Sequence, residues 1–187
     1  MGKRKVASLI RNRRGLSQVV TTLILLVVSV LLAGIVTYYA TNITMTRTEQ
    51  ESMDISKPHV WVNGTTQVCA FMLQNLGGRD LLVDKIAIRS VESSWSDVYY
   101  ERPASAPSGE LNVIAESKIT GANFTLDGYL FEQASTDIPV ASSDIVLFYV
   151  KNPDNIDLDD LGTTVSITVY TVNGQYIEEV NVESATW

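Results

Sequence analysis

The chain has 187 residues, 14 of them basic and 21 acidic, for a formal net charge of −7, and it holds one cysteine and one histidine. One cysteine forms no internal disulfide, and metal centres built on several His or Cys ligands are excluded by count. Six of the 14 basic residues fall in the first fifteen positions, leaving 8 against 21 acids and a charge near −13 beyond them, which argues against nucleic-acid binding as a main role.

Residues 1–15 carry Lys3, Arg4, Lys5, Arg11, Arg13 and Arg14 and no acid, and read as a basic leader. Residues 16–46 then contain no charge and no proline. The apolar core of that run is about 25 residues, enough at about 1.5 Å per residue to cross a bilayer's hydrocarbon core. It is too long for the apolar region of an ordinary secretory signal, and Tyr38-Tyr39-Ala40 lacks the small-x-small pattern of a cleavage site. The positive flank predicts an N-in, C-out orientation, with the bulk of the chain outside the cell.

Arg13-Arg14-Gly15-Leu16-Ser17, followed by Gln18-Val19-Val20-Thr21-Thr22-Leu23-Ile24-Leu25, resembles the class III signal of archaeal type IV pilin-like proteins, the group that also includes archaellins. The resemblance covers residues 11–45, about a fifth of the chain. It implies that a membrane aspartyl peptidase of the prepilin type cuts between Gly15 and Leu16 and leaves the apolar stretch in the mature protein. Val20 stands where bacterial type IV pilins carry a glutamate, so the resemblance is to the archaeal group. Without that cut, residues 1–15 would remain as the cytoplasmic tail of a signal-anchored protein.

No proline follows until Pro58, so the sequence predicts one helix over 16–57, apolar first and polar later, ending at Lys57-Pro58. Gln18, Thr22, Ser29, Ala33 and Thr37 recur at spacings of four and seven and share one face. Ser29, Ala33 and Thr37 make a small-xxx-small row along which another helix can approach, and Gly34 lies beside it.

From residue 58 to 187 the period changes to that of strands. Short apolar or alternating runs at 59–63, 66–75, 81–90, 97–102, 111–117, 128–132, 144–151, 163–172 and 175–183 are separated by Gly, Asn, Asp, Ser and Pro. The expected fold is α+β: a long N-terminal hydrophobic helix, then an all-β head that is sandwich- or barrel-like. Asn173-Gly174 predicts a two-residue type I′ turn pairing Val172 with Gln175, Val165 with Val182, Ile167 with Val180 and Thr171 with Tyr176. That register sets Val169 against Glu178. Cys69, within Val68-Cys69-Ala70-Phe71-Met72-Leu73, reads as a buried small hydrophobe, with a reactive or intermolecular thiol as the alternative.

Three glycosylation sequons, at Asn42, Asn63 and Asn123, lie on the side predicted to be outside. Asp154, Asp157, Asp159 and Asp160 offer oxygen ligands for calcium but do not match EF-hand spacing; the alternative is a solvated loop with a turn of helix capped by Asp157. His59 has no nucleophile motif to serve, so neither a catalytic set nor a cofactor is expected.

The expected function is therefore a structural subunit of an extracellular type IV pilus-like filament, for adhesion or as a surface appendage. The precursor would sit in the cytoplasmic membrane. Its partners would be identical or related pilin subunits and the prepilin-type peptidase. The alternative is a single-pass, membrane-anchored extracellular binding module.

Overall fold

The computed structural model describes residues 3–49 and 51–187, with side chains described for 15–45 and 51–187. The chain divides into two compact units, Met1–Arg47 and Thr48–Trp187. The first is a single helix, α1 (Lys3–Glu49). Its stretch Gly15–Met45 is 31 residues long with a mean hydropathy of 2.9, about 45 Å at about 1.5 Å per residue. Many of its residues are β-branched and helix-poor in water, but in an apolar medium the backbone must satisfy its own hydrogen bonds, and a helix does this within one segment.

The second unit is a β head of eleven strands: β1 (Met53–Asn63), β2 (Thr66–Asn75), β3 (Leu81–Ile88), β4 (Val91–Glu92), β5 (Val98–Glu101), β6 (Asn123–Leu126), β7 (Tyr129–Gln133), β8 (Ile138–Val140), β9 (Ile145–Lys151), β10 (Thr164–Thr171) and β11 (Gln175–Ser184). They pair in the order β4-β3-β10-β11-β1-β2-β9-β5-β7-β6, with β8 also on β3. β1 runs parallel to β11, with Val60 opposite Val182; the other pairings are antiparallel. The protein is thus α+β, an apolar helix followed by a β-rich, sandwich-like head.

Two cores explain the pattern. In the first, Val60, Phe71 and Phe148 from the β1-β2-β9 part of the sheet cluster with Ile88, Ile167 and Val182 from the β3-β10-β11 part, and the Phe71 and Phe148 rings stack at 5.1 Å. The second lies on the opposite face of β2 and β9, where Ala70, Leu147 and Tyr149 meet Leu111, Ile114, Ile119 and Phe131. β2 and β9 are therefore covered on both faces, so their sequences are unbroken apolar runs rather than alternations. Cys69 is fully buried in the first core, and burial pushes its thiol pKa well above the ordinary range.

Four sequence expectations need correction. α1 ends at Glu49 and not at Lys57-Pro58, because β1 already starts at Met53 and runs through the proline. The ladder to β2 slips by one residue between Ser56 and His59, and Lys57 takes a φ of 51° there. A bulge is a place where a strand tolerates a residue without an N–H. Second, 111–117 forms no strand. It buries Leu111, Ile114 and Ala115, a spacing that strand alternation cannot produce, and runs into a 3₁₀ turn at Glu116–Lys118. Lys151 at the end of β9 clamps that turn, donating to Glu116 at 2.9 Å and to the Ile119 carbonyl at 3.1 Å. Third, β4, β6 and β8 are additional short strands.

Fourth, the terminal hairpin closes differently. Tyr170 pairs with Gln175, Val169 with Tyr176, Ile167 with Glu178 and Val165 with Val180. Neither Asn173 nor Gly174 has a positive φ, so no type I′ turn forms. Instead Thr171 closes a four-residue loop: its N–H donates to the Gly174 carbonyl at 2.8 Å, and the Gly174 N–H donates to Thr171 Oγ1 at 3.1 Å. The Glu51 carboxylate accepts from Thr171 Oγ1 at 3.1 Å and from Asn173 Nδ2. A shift of two residues keeps each side chain on its face, so Val165, Ile167, Val180 and Val182 are still buried.

The type I′ turn occurs elsewhere. Asp127 and Gly128, with φ of 54° and 84°, join β6 to β7 between the paired Leu126 and Tyr129. A Cβ at Gly128 would meet no atom within 4 Å. Gly128→Ala is therefore expected to lower stability by about 1–2 kcal/mol through backbone conformation alone, read from the denaturant midpoint. A neutral result would mean that this turn relaxes to another type.

Candidate packing helix and head surfaces

Every residue of α1 from Gly15 to Met45 is exposed, so the apolar side chains of the span have no cover of their own. The hydroxyls in the span do not disturb this surface. Thr21, Thr22, Ser29, Thr37, Thr41 and Thr44 each donate to a carbonyl three or four residues back at 2.8–3.0 Å. With their donors satisfied internally, they leave only small, nearly apolar bumps on that surface. Gln18, Thr22, Ser29, Ala33 and Thr37 are exposed along the helix, as are Gly15, Leu16 and Ser17 at the cut implied by the resemblance. Arg13 and Arg14 lie outside the residues whose side chains are described.

Gly34 gives this surface its relief. Val30, Gly34 and Tyr38 form the row next to Ser29, Ala33 and Thr37, and Leu31, Ile35 and Tyr39 form the row beyond. These six residues line a shallow apolar depression. Its floor is the missing side chain of Gly34, where an added Cβ would meet nothing within 4 Å. Tyr38 and Tyr39 pack edge to face, their rings 5.9 Å apart, and rim it at one end.

The chain matches no family model and no curated protein.

The three sequons separate by setting. Asn123 opens β6 with its side chain exposed, while Asn63 ends β1 half-buried. Asn42 lies on α1 within the apolar span. In the acidic loop, Asp160 is already partnered. Asp160 accepts from Arg89 Nη1 at 2.7 Å and from the Asp157 backbone N–H at 2.9 Å, at a 3₁₀ turn, Leu158–Asp160, that follows Asp157. Among the described residues, no group of three or more His, Cys, Asp or Glu could hold a metal ion.

His59 sits just beyond the β1 bulge, stacked on Trp61 at 4.9 Å, with Glu110 at 3.4 Å and Glu183 at 3.6 Å. Lys57 donates to the carbonyls of Pro107 and Gly109. The bulge therefore ties down residues 107–110. This loop walls a cavity of about 240 Å³ with Tyr129, Phe131 and Tyr149. Asn112 bridges it to the β6–β7 turn, donating to Asp127 at 2.9 Å. Tyr149 donates to the Asn112 carbonyl at 2.7 Å; burial, with the Asp127 charge nearby, pushes its phenol pKa above the ordinary range. Aspartate-glycine at 127–128 was the one local signal for this feature.

Proposed function

We propose that this chain is the structural, non-catalytic subunit of an extracellular filament of the type IV pilus-like class, assembled through α1. The observation that carries this reading is the uninterrupted exposed apolar surface of Gly15–Met45, which is of membrane-spanning length and follows directly on six basic residues. Such a helix is stable in two settings, a bilayer or a bundle of like helices. In a bundle each buried apolar side chain contributes about 1.5–3 kcal/mol relative to water.

Leader removal provides the switch between the two settings. While Lys3, Arg4, Lys5, Arg11, Arg13 and Arg14 are attached, carrying them into a dry helical bundle is prohibitively costly, and they hold the precursor in the cytoplasmic membrane. A cut between Gly15 and Leu16 removes all six and lets the helix leave the bilayer for its neighbours.

The head cavity lined by Tyr129, Phe131 and Tyr149 favours a second reading, a membrane-anchored module that binds a ligand there. Mass spectrometry of the N-terminus, on sheared extracellular material and on membranes, separates the two. A sheared chain beginning at Leu16 is the expected result. A chain that retains residues 1–15 and occurs only in membranes would overturn the filament reading and leave the anchored module.

A further inference from the structure

Among the described residues, strand β6 ends the sheet and pairs only with β7, so within them its outer edge has no partner strand. Asn123 and Thr125, the acceptor and the hydroxyl of one sequon, are both exposed, while Phe124 between them is buried. The strand thus holds the triplet extended with both reactive side chains in solvent. All four residues of β6 line a groove of about 520 Å³, so the groove follows the strand's free edge rather than one face. Its opposite wall includes Val113, Lys118 and Trp187. Trp187 is 39% exposed and Val113 is 40% exposed. Within this mixed wall the half-exposed Trp187 ring beside an exposed amide is the kind of surface on which the C–H face of a sugar ring stacks. The other two sequons lack this setting. Asn63 is half-buried against a tight turn where Gly64 has a φ of 61°, and Asn42 is helical within the apolar span.

We propose that Asn123 is an N-glycosylation site and that the first sugars of its glycan lie in this groove against Trp187, covering the free edge of β6. The proposal rests on the reading that the head is exported. The donor is an oligosaccharide on a lipid-linked phosphate or pyrophosphate, used by a membrane oligosaccharyltransferase. Asn123 Nδ2 forms a bond to the anomeric carbon, and the bond from that carbon to the phosphate oxygen breaks, its electron pair leaving with the phosphate. One amide proton passes to a base of the transferase. No oxidant or reductant is needed. An unpaired edge invites strand addition by another chain, and a bulky hydrophilic group there prevents it.

The test uses full-length protein from the cells that make it. Peptide mass spectrometry is expected to find added hexose or N-acetylhexosamine mass on residues 119–151, wholly lost in Asn123→Gln and Thr125→Ala and kept in Thr125→Ser. An unmodified peptide in chains that begin at Leu16 and are recovered outside the cell would overturn the proposal while leaving the filament reading intact. An unmodified chain that keeps residues 1–15 inside the cell would sink both. For the groove, Asn123→Gln should red-shift tryptophan emission, and the shift should vanish in a Trp187→Phe background. An equal shift without Trp187 would overturn the placement of the sugars.

Discussion

Asn75→Asp is expected to destabilise the head by about 3–5 kcal/mol, the range seen when a buried charge is left uncompensated, and to do so more strongly as pH rises. Asn75 is fully buried. Its amide nitrogen donates to the carbonyls of Arg79 at 2.7 Å, Ala141 at 3.1 Å and Val140 at 3.2 Å, and its amide oxygen accepts from the Gly77 N–H at 2.9 Å. One side chain thus joins the turn after β2 to the segment between β8 and β9. Aspartate is nearly isosteric but sets an acceptor against three acceptors. Burial and those carbonyls raise the folded-state pKa of the introduced carboxyl above its unfolded value of about 3.9. The variant therefore keeps most of its stability below the unfolded value and loses it as pH climbs through the folded value. Denaturant midpoints at pH 4 and pH 8 measure this, with Asn75→Ala as the comparator whose smaller loss, about 1–3 kcal/mol, should not change with pH. Equal midpoints for Asn75→Asp at the two pH values would show that the site opens to water.

Leu31→Arg should abolish both membrane insertion and assembly. Leu31 lies next to the midpoint of Gly15–Met45 and is exposed. On the insertion scale the exchange costs about 3–4 kcal/mol at the centre of a span, roughly 10²–10³-fold in the equilibrium. A second substitution separates the two roles proposed for the helix. Gly34→Leu fills the depression between Val30, Leu31 and Tyr38 with an apolar side chain, so insertion should be unchanged while filament yield falls. Membrane fractionation and recovery of sheared filaments read the two quantities. Normal yield from Gly34→Leu would mean that helices pack through the Ser29, Ala33 and Thr37 row instead.

The broad plan was legible because it depends on composition and period. A span without charge or proline can only be a helix, and β2 and β9 announce themselves by apolar runs too short for one. What local reasoning missed was decided from a distance. Asn173-Gly174 and Asp127-Gly128 carry equally good turn pairs, and only the second adopts the positive φ values. At the first, Glu51, 120 residues from Thr171, holds the loop in another form. Pro58 is an ordinary helix stop until the β2 ladder supplies a bulge to hold it. For the candidate sites, the Asn123 sequon could be read directly. Its groove could not, because the far wall is built by residues 113–118 and by Trp187 at the other end of the sequence.

The position of β1 bears on mechanics. The chain leaving α1 enters the head at Met53, and β1 is an interior strand, paired with β2 from Met53 to Asn63 on one side and with β11 over Val60–Val62 on the other. Tension drawn along that backbone pulls β1 lengthwise between two neighbours. Its ladder bonds are then strained together, in shear, and not peeled one at a time as on an edge strand. Glu51, bonded to Thr171 and Asn173 just before the strand begins, adds a latch at the point where such a load arrives. A head strung in this way would yield to such a pull by breaking several ladder bonds at once.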